Sequence, residues 1–490
     1  MNLKLIFISL GLLLTELLTA QDQTTELSLK QVIEIARMES PDAQTARHSF
    51  RSAYWNYKYY RANYLPSLSL TSDPNLNRAI NKITMGDGSV KFVEQNLLNT
   101  DLTLNLSQNL SWTGGSFFLE TSAQRMDLFS EHKYSWQTSP IMIGYRQSLF
   151  GYNSLKWDRR IEPVRYQEAK KSYVETLELV SANAIHKFFA LATAQSDYDI
   201  ASFNYANADT LYRYAQGRYN IGTITENEML QLELNRLTEE TNRMNALIEM
   251  DNCMQELRSY LGIHEDRELR VLVSPQIPDF SVNLNEALAL AYENSPDIQT
   301  MERRKLESES AVAKARANAG LKADIYLRFG LTQTADKLPE AYRNLLDQQY
   351  VSIGISLPIL DWGRGKGQVR VARSNRDLVY TQVEQSRTDF ELNVRKLVKQ
   401  FNLQTQRVRI AVRTDETAQR RSEVARKLYL LGKSTILDLN ASISEKDSAR
   451  RNYISALYNY WSLYYTLRSM TLYDFERNTM LTEDYHLLIE

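Results

Sequence analysis

The sequence predicts a mixed α and β fold in which one series of helices and strands occurs twice. Three observations carry this reading. An internal repeat spans most of the chain, two helical runs are far longer than an ordinary globular helix, and short apolar/polar alternations stand between the helices. The chain has 490 residues and 43% apolar side chains, enough for a large core. The 58 Lys and Arg against 59 Asp and Glu give a net charge of -1, which argues against a nucleic-acid partner. A single cysteine, Cys253, excludes an internal disulfide and a four-cysteine zinc site. The five histidines show no metal spacing, and no cofactor is expected.

Residues 1–20 read as a signal peptide, with Lys4 at the start, an apolar run over 5–14 and Ala20 as the cleavage residue. The alternative is a membrane anchor. The run is too short to span, and Glu16 interrupts its continuation. The product would begin at Gln21, so a lipid-anchored amino terminus is not expected. No later stretch of 18 apolar residues occurs, which excludes helical spans but leaves a β-barrel open.

Leu29-Lys30-Gln31-Val32 through Ser40-Pro41-Asp42 match Leu284-Asn285-Glu286-Ala287 through Ser295-Pro296-Asp297, an offset of 255. A second register has an offset of 210. It aligns Ile143-Gly144 with Ile353-Gly354, Tyr219 to Gly222 with Tyr429 to Gly432, and Leu257-Arg258-Ser259 with Leu467-Arg468-Ser469. The first copy therefore carries about 45 extra residues before its long helix, the difference between the two offsets. The domain division follows: a first repeat over 21–270 and a second over 271–490.

Each copy opens with a helical segment, 29–62 and 284–318, broken at Pro41 and Pro296, each preceded by a Ser able to cap the next helix. The long helices run over roughly 154–218 and 364–430, rich in Ala, Glu, Lys, Arg, Gln and Leu, with Pro163 near the start of the first. At about 65 residues each would extend roughly 100 Å. Each ends at a glycine motif, with Gly217 and Gly222 in the first copy and Gly432 in the second. Thr225 and Thr435 then begin returning helices over 225–262 and 435–474. The apolar stripes of these hairpins need partners.

Candidate strands lie at 65–73, 100–110, 116–124 and 140–149 in the first copy, and at 324–332 and 349–357 in the second. Leu68, Leu70, Leu102, Leu104 and Leu106 alternate with uncharged polar residues, as do Ile325, Leu327, Phe329 and Leu331. That pattern suits a wall between lipid and water. A soluble antiparallel sheet shows the same period. One chain holds too few strands for a useful barrel, and open edges cannot face lipid, so a membrane wall requires several chains.

The duplicated start, seen best at 284–297, and the strand exit Ile359-Leu360-Asp361-Trp362-Gly363-Arg364-Gly365 resemble the outer-membrane efflux protein family, the TolC-like channels of Gram-negative bacteria. So do Tyr429 through Asp438 and the stretch from Asn440 through Tyr460. The resemblance covers nearly all of the mature chain. It implies a homotrimer in which a transmembrane β-barrel is continuous with a long periplasmic α-helical barrel. It further implies an exit duct of a tripartite efflux pump or type I secretion system, joined to an inner-membrane transporter through a periplasmic adaptor. A helical structural or adaptor-like envelope protein is the alternative, but two equal copies do not match an adaptor. The family pattern has about two strands per copy, whereas the first copy here has candidates for four.

The resemblance also places the site residues. Asp438 follows the second tip and takes the place of the first of two gate carboxylates, while the second falls on Ala441. Glu228 is the equivalent position in copy one. The alternative is that each is a solvated helix carboxylate. Arg218 and Lys433 are candidate partners for Asp438. The tips, with Gly217, Arg218, Gly222, Thr223, Gly432, Lys433 and Ser434, are the expected adaptor contacts. No nucleotide loop or catalytic constellation appears, so no enzyme activity is expected. His48, His186 and Cys253 read as ordinary helix residues.

Overall fold

The structure is a computed structural model that describes residues 25–264, 268–431 and 433–489. The signal segment and Gly432 lie outside the described residues.

Strand β1 (Thr25–Ser28) leads into α1 (Leu29–Glu39) and α2 (Pro41–Ala62). Ser28 starts α1 with a capping box to Gln31, and Ser40 Oγ accepts from the Ala43 amide at 3.1 Å to start α2. Five strands follow: β2 (Ser67–Thr71), β3 (Asn75–Thr84), β4 (Val90–Asn109), β5 (Ser116–Leu128) and β6 (Lys133–Leu149). Then come α3 (Ser154–Asn220), α4 (Glu226–Leu261) and β7 (Leu269–Leu272). The order begins again with α5 (Leu284–Asn294), α6 (Pro296–Ala319), β8 (Lys322–Ala335) and β9 (Leu346–Ser356). It closes with α7 (Arg364–Leu430), α8 (Ile436–Thr471), β10 (Tyr473–Asp474) and β11 (Thr479–Met480). Both long helices have 67 residues and both returning helices 36.

The chain divides into two compact units, each drawing on both halves of the sequence. The helical unit contains the chain up to Arg51, Ala169–Ile298 and the chain from Thr388 onward. Its core includes Val32, Ala36, Ile185, Phe188, Leu257, Leu261, Leu457 and Leu467, all buried. Phe401 lies 5.3 Å from Phe280 and 5.4 Å from Tyr460, ring centre to ring centre. β1 pairs parallel with β7 at its margin.

The second unit, Ser52–Glu168 with Gln299–Arg387, contains the sheet. Seven of the described strands form it in the order β2-β4-β5-β6-β8-β9, with β3 also on β4, and every pairing is antiparallel. One face carries Leu68, Leu70, Leu104, Leu106, Leu119, Ile143, Phe329, Leu327, Val351, Ile353 and Ile355, and most of these side chains are exposed. The other carries Ser69, Thr103, Asn105, Glu120, Ser122, Arg146, Asp324, Arg328 and Ser352. Arg328 reaches Glu120 at 3.2 Å on that polar face. Gly144 is required there: an added Cβ would lie 2.0 Å from Phe118 Cζ, which covers it.

The strands exceed the sequence expectation. β4 begins at Val90 instead of 100, and β6 at Lys133 instead of 140. β3 was not expected. Arg78, Asn81 and Lys82 break its apolar alternation, and a continuous antiparallel register from Asn75↔Asn99 to Thr84↔Val90 joins it to β4, with an exposed Arg78–Glu94 ion pair at 3.7 Å across the two strands. The excess strands of the first copy are members of the one sheet.

Candidate functional site: the hairpin tips

The two helical hairpins end in turns of the same construction. At the first, the Gly222 amide donates to the Tyr219 carbonyl (2.8 Å) and the Thr223 amide to the Arg218 carbonyl (2.9 Å). Gly222 has φ +73°, the left-handed conformation that ends many helices and that glycine adopts without a Cβ penalty. Gly217 lies inside the last turns of α3. At the second tip the Lys433 amide donates to the Leu428 carbonyl at 2.9 Å, the counterpart of the bond from Thr223 to Arg218.

Each returning helix starts with a reciprocal cap. The Glu228 amide donates to Thr225 Oγ1 (3.3 Å), and the Glu228 carboxylate accepts from the Thr225 amide (3.0 Å). In the second copy the Asp438 amide donates to Thr435 Oγ1 (3.1 Å). Asp438 Oδ2 accepts from the Thr435 hydroxyl at 2.7 Å, the Thr435 amide at 3.4 Å and the Ser434 hydroxyl at 3.3 Å. The hydrogen bonds from Thr435, joined by the one from Ser434 and the charge of Arg421, hold the exposed Asp438 carboxyl below the usual carboxylate range. Both gate candidates are therefore the third-position acids of capping boxes, and the Thr-x-x-Glu and Thr-x-x-Asp spacing signals this role.

The base that acts on Asp438 within the chain is Arg421 of α7, which also pairs with Glu445 of α8. Sequence reasoning named Arg218 and Lys433 as partners in a closed gate of three chains. Arg218 lies over the Tyr214 ring, 5.8 Å from its centre. Arg421 is one of many arginines in α7, and only the hairpin's geometry singles it out. The apexes also carry exposed apolar side chains that the sequence reading passed over, Ile221 at 74% and Leu431 at 69% exposure. They are equivalent positions in the register offset by 210.

The flanks of the hairpins are equally uncovered. On α4, Leu230, Leu234, Leu237, Met244 and Ile248 are exposed at spacings of four, three, seven and four, one stripe of the helix. On α7, Leu392, Leu403, Ile410 and Val424 are exposed at spacings of eleven, seven and fourteen. Cys253 is half-buried, and burial first of all, then the neighbouring Glu249, pushes its thiol up, away from reactivity. No helix among the described residues is long and apolar enough to cross a membrane, and none of their side chains cluster as a metal site.

Residues 287–471 match the family of outer membrane efflux proteins. Over 451 residues the chain is 24% identical to toxin and drug export protein A of Aggregatibacter actinomycetemcomitans, covering 86% of this chain and 94% of that protein. Its fold resembles the CmeC outer membrane channel of Campylobacter jejuni, with a TM-score of 0.67 at 15% identity, over 94% of this chain and 88% of that one. It also resembles the outer membrane protein VceC of Vibrio cholerae, with a TM-score of 0.62 at 14% identity, over 90% of this chain and 95% of that one. The stretch that matches the efflux family, the helical hairpins and the two-faced sheet thus occur together in one chain.

Proposed function

We propose that the protein is the exit duct of a tripartite efflux pump or type I secretion system in the outer membrane. Three copies enclose one tunnel, with a wall of strands in the lipid and helices in the periplasm. The carrying observation is what a single chain leaves uncovered. The sheet has an apolar face, a polar face and two open edges, and α4 and α7 expose long apolar stripes. Open edges cannot face lipid, and apolar stripes of this length need helical partners, so further copies of the chain cover both. The two repeats, 21–270 and 271–490, then supply equivalent hairpins around the axis.

Conduction is passive, driven by energy spent at an inner-membrane transporter, with no catalytic step. A periplasmic adaptor contacts the tips at Gly217 to Thr223 and at Gly432 to Ser434. The exposed Ile221 and Leu431 give it an apolar anchor in each hairpin. Asp438, with Glu228 in the other hairpin, forms the charged constriction. Rings of carboxylates in a narrow pore attract cations. The export role in the relative's name supports small molecules or polypeptide as cargo.

Native mass measurement in detergent and conductance in planar bilayers test this together. A trimer that opens discrete channels is expected. A monomer as the only stable species, or a trimer with no conductance under any voltage or pH, refutes it.

A further inference from the structure

The first copy contributes two strands more than the second, and the geometry points to all of them forming the barrel wall. β2 and β3 act as one strand. Ser67 pairs with Ser107 and Asn75 with Asn99, so eight residues separate each pair on either side and the register on β4 runs unbroken through residues 72–74. There the Asp73 amide turns to the Asp101 side chain (3.2 Å), and Pro74 has no N–H to offer. Each chain therefore has six wall strands: β2 with β3, then β4, β5, β6, β8 and β9.

Three features place the extra hairpin in the wall. Its faces continue those of its neighbours: Leu68 and Leu70 lie opposite Leu106 and Leu104 on the apolar side, and Ser69 lies opposite Asn105 on the polar side. Its base is fixed where the other strands meet helices. Asn109 Nδ2 donates to the Asn63 carbonyl (3.0 Å), Gln108 Nε2 to the Tyr64 carbonyl (2.8 Å), and Tyr64 OH to the Leu155 carbonyl at the start of α3 (2.8 Å). Its outer half, β3 with the start of β4, is mixed, with Arg78, Lys82 and Glu94 set among the exposed Leu76, Ile80 and Phe92, as expected where a hairpin passes from lipid into water. The sheet's open edges are then β2 and β9. Strand direction alternates at every step of a six-strand path, so β9 of one copy meets β2 of the next antiparallel, the pairing an outer-membrane barrel needs.

On the trimer reading above, three copies of six strands close an eighteen-stranded wall. With strands about 4.8 Å apart and tilted by about 40°, its backbone radius is roughly 18 Å, against roughly 12 Å for the twelve strands of the family pattern. The partner of the β2 edge is thus a second copy of this chain, and the mouth is about 1.5 times wider than the family pattern implies.

Cysteine pairs decide it, in a chain carrying Cys253→Ser. Ser67→Cys, Ser69→Cys and Thr71→Cys on β2 are each combined with Ser352→Cys, Gly354→Cys or Ser356→Cys on β9, all on the polar face, and oxidised in the purified trimer. At least one β2–β9 pair should give covalent dimers and trimers on a denaturing gel, and each single cysteine should give no covalent trimer. The control combines Ser122→Cys on β5 with the same β9 positions. Bonding there, or a native trimer with no β2–β9 bond at all, overturns the eighteen-stranded wall while leaving the duct intact. Images of the detergent-solubilised trimer provide the second readout. Twelve wall strands refute the inference, eighteen support it, and a monomer would instead refute the trimer reading beneath it.

Discussion

Replacing Glu178 by Gln should weaken the helical unit more than any exposed charge change of similar size. Glu178 is 0% exposed, at the middle of an ion network that joins three parts of the chain. Its carboxylate accepts from Arg37 Nη1 of α1 at 2.6 Å and from Arg468 of α8 through Nε at 2.7 Å and Nη2 at 3.1 Å. Arg468 also donates to Asp474 (3.0 Å), which accepts from the Tyr464 hydroxyl at 2.6 Å, and Arg37 to Glu483 (2.7 Å). Burial alone would raise Asp474. The bond from Tyr464, the backbone amides and the Arg468 charge outweigh it and hold the carboxyl below its ordinary range. Gln keeps the shape and one acceptor but removes the charge, leaving two guanidinium groups under-compensated in a largely buried place. Breaking such a pair typically costs about 3–5 kcal/mol. Lys30, in an exposed 4.0 Å pair with Glu34, is the control, and Lys30→Ala should cost under about 1 kcal/mol. Denaturant unfolding followed by Trp fluorescence measures both, with a double-mutant cycle of Glu178→Gln and Arg468→Met to isolate the coupling. A Glu178→Gln loss below about 1 kcal/mol, or a cycle with no coupling, would refute the claim that this network fastens α1 and residues 474–483 to α3 and α8.

Three further outcomes follow from the same geometry. Asp438→Asn keeps a side-chain acceptor for the cap and removes the charge, so it should leave tip order unchanged while shifting reversal potential and cation block in bilayers. Asp438→Ala also removes the cap acceptor, so it should loosen the tip as well as shift conductance, and identical conductance curves for all three proteins would show that Asp438 faces away from the pore. Glu175 is pushed up to about 7 by burial and then by the Asp297 charge. An unfolded chain ionises this group at lower pH, so the stability it adds is complete below about pH 4.5 and lost as pH rises through 7. Glu175→Gln should therefore raise stability at pH 8 by up to about 3 kcal/mol and flatten the slope between pH 5 and 8, and an unchanged slope would contradict it. Gly222→Ala meets no atom within 4 Å but must hold φ near +73°, at about 1–2 kcal/mol. Hydrogen exchange should quicken over 217–228 and nowhere else, and wild-type rates there would refute a strained turn.

The long helices were legible because their signals are local. Runs of good helix formers, interrupted only by Pro163 near the start of α3, ended where the sequence placed glycines, and α3 and α7 differ from expectation by two residues or fewer. The lower halves of the strands were legible for the same reason, since Leu102, Leu104 and Leu106 alternate cleanly. β3 was not, because Arg78, Asn81 and Lys82 follow no lipid-facing pattern, and its pairing with β4 is fixed by register rather than composition. Glu178 was equally invisible. Along α3 it is one glutamate among several, and its burial depends on Arg37, Arg468 and Asp474, which lie far away in sequence. At the tips, Asp438 and Glu228 were singled out for a pore role, while their spacing from Thr435 and Thr225 already announced a helix cap.

The observed capping role of Asp438 and the gate role proposed for it support each other. A capping acid at the third position points back toward the helix start, here the hairpin apex, and the positive end of the helix dipole favours its ionised form. Three bonds from Ser434 and Thr435 fix the carboxylate, so in a trimer the ring would be made of groups unable to swing apart without breaking their caps. Like charges so held repel, and depressing each carboxyl's tendency to bind a proton keeps them ionised as they approach. The same substructure in the first hairpin carries Glu228, one methylene longer, so the two kinds of hairpin would present carboxylates at different reach. Opening by movement of whole hairpins, with caps intact, carries the charges outward as rigid parts. That favours a gate worked by an adaptor pushing on Ile221 and Leu431 at the apexes over one worked by side-chain motion.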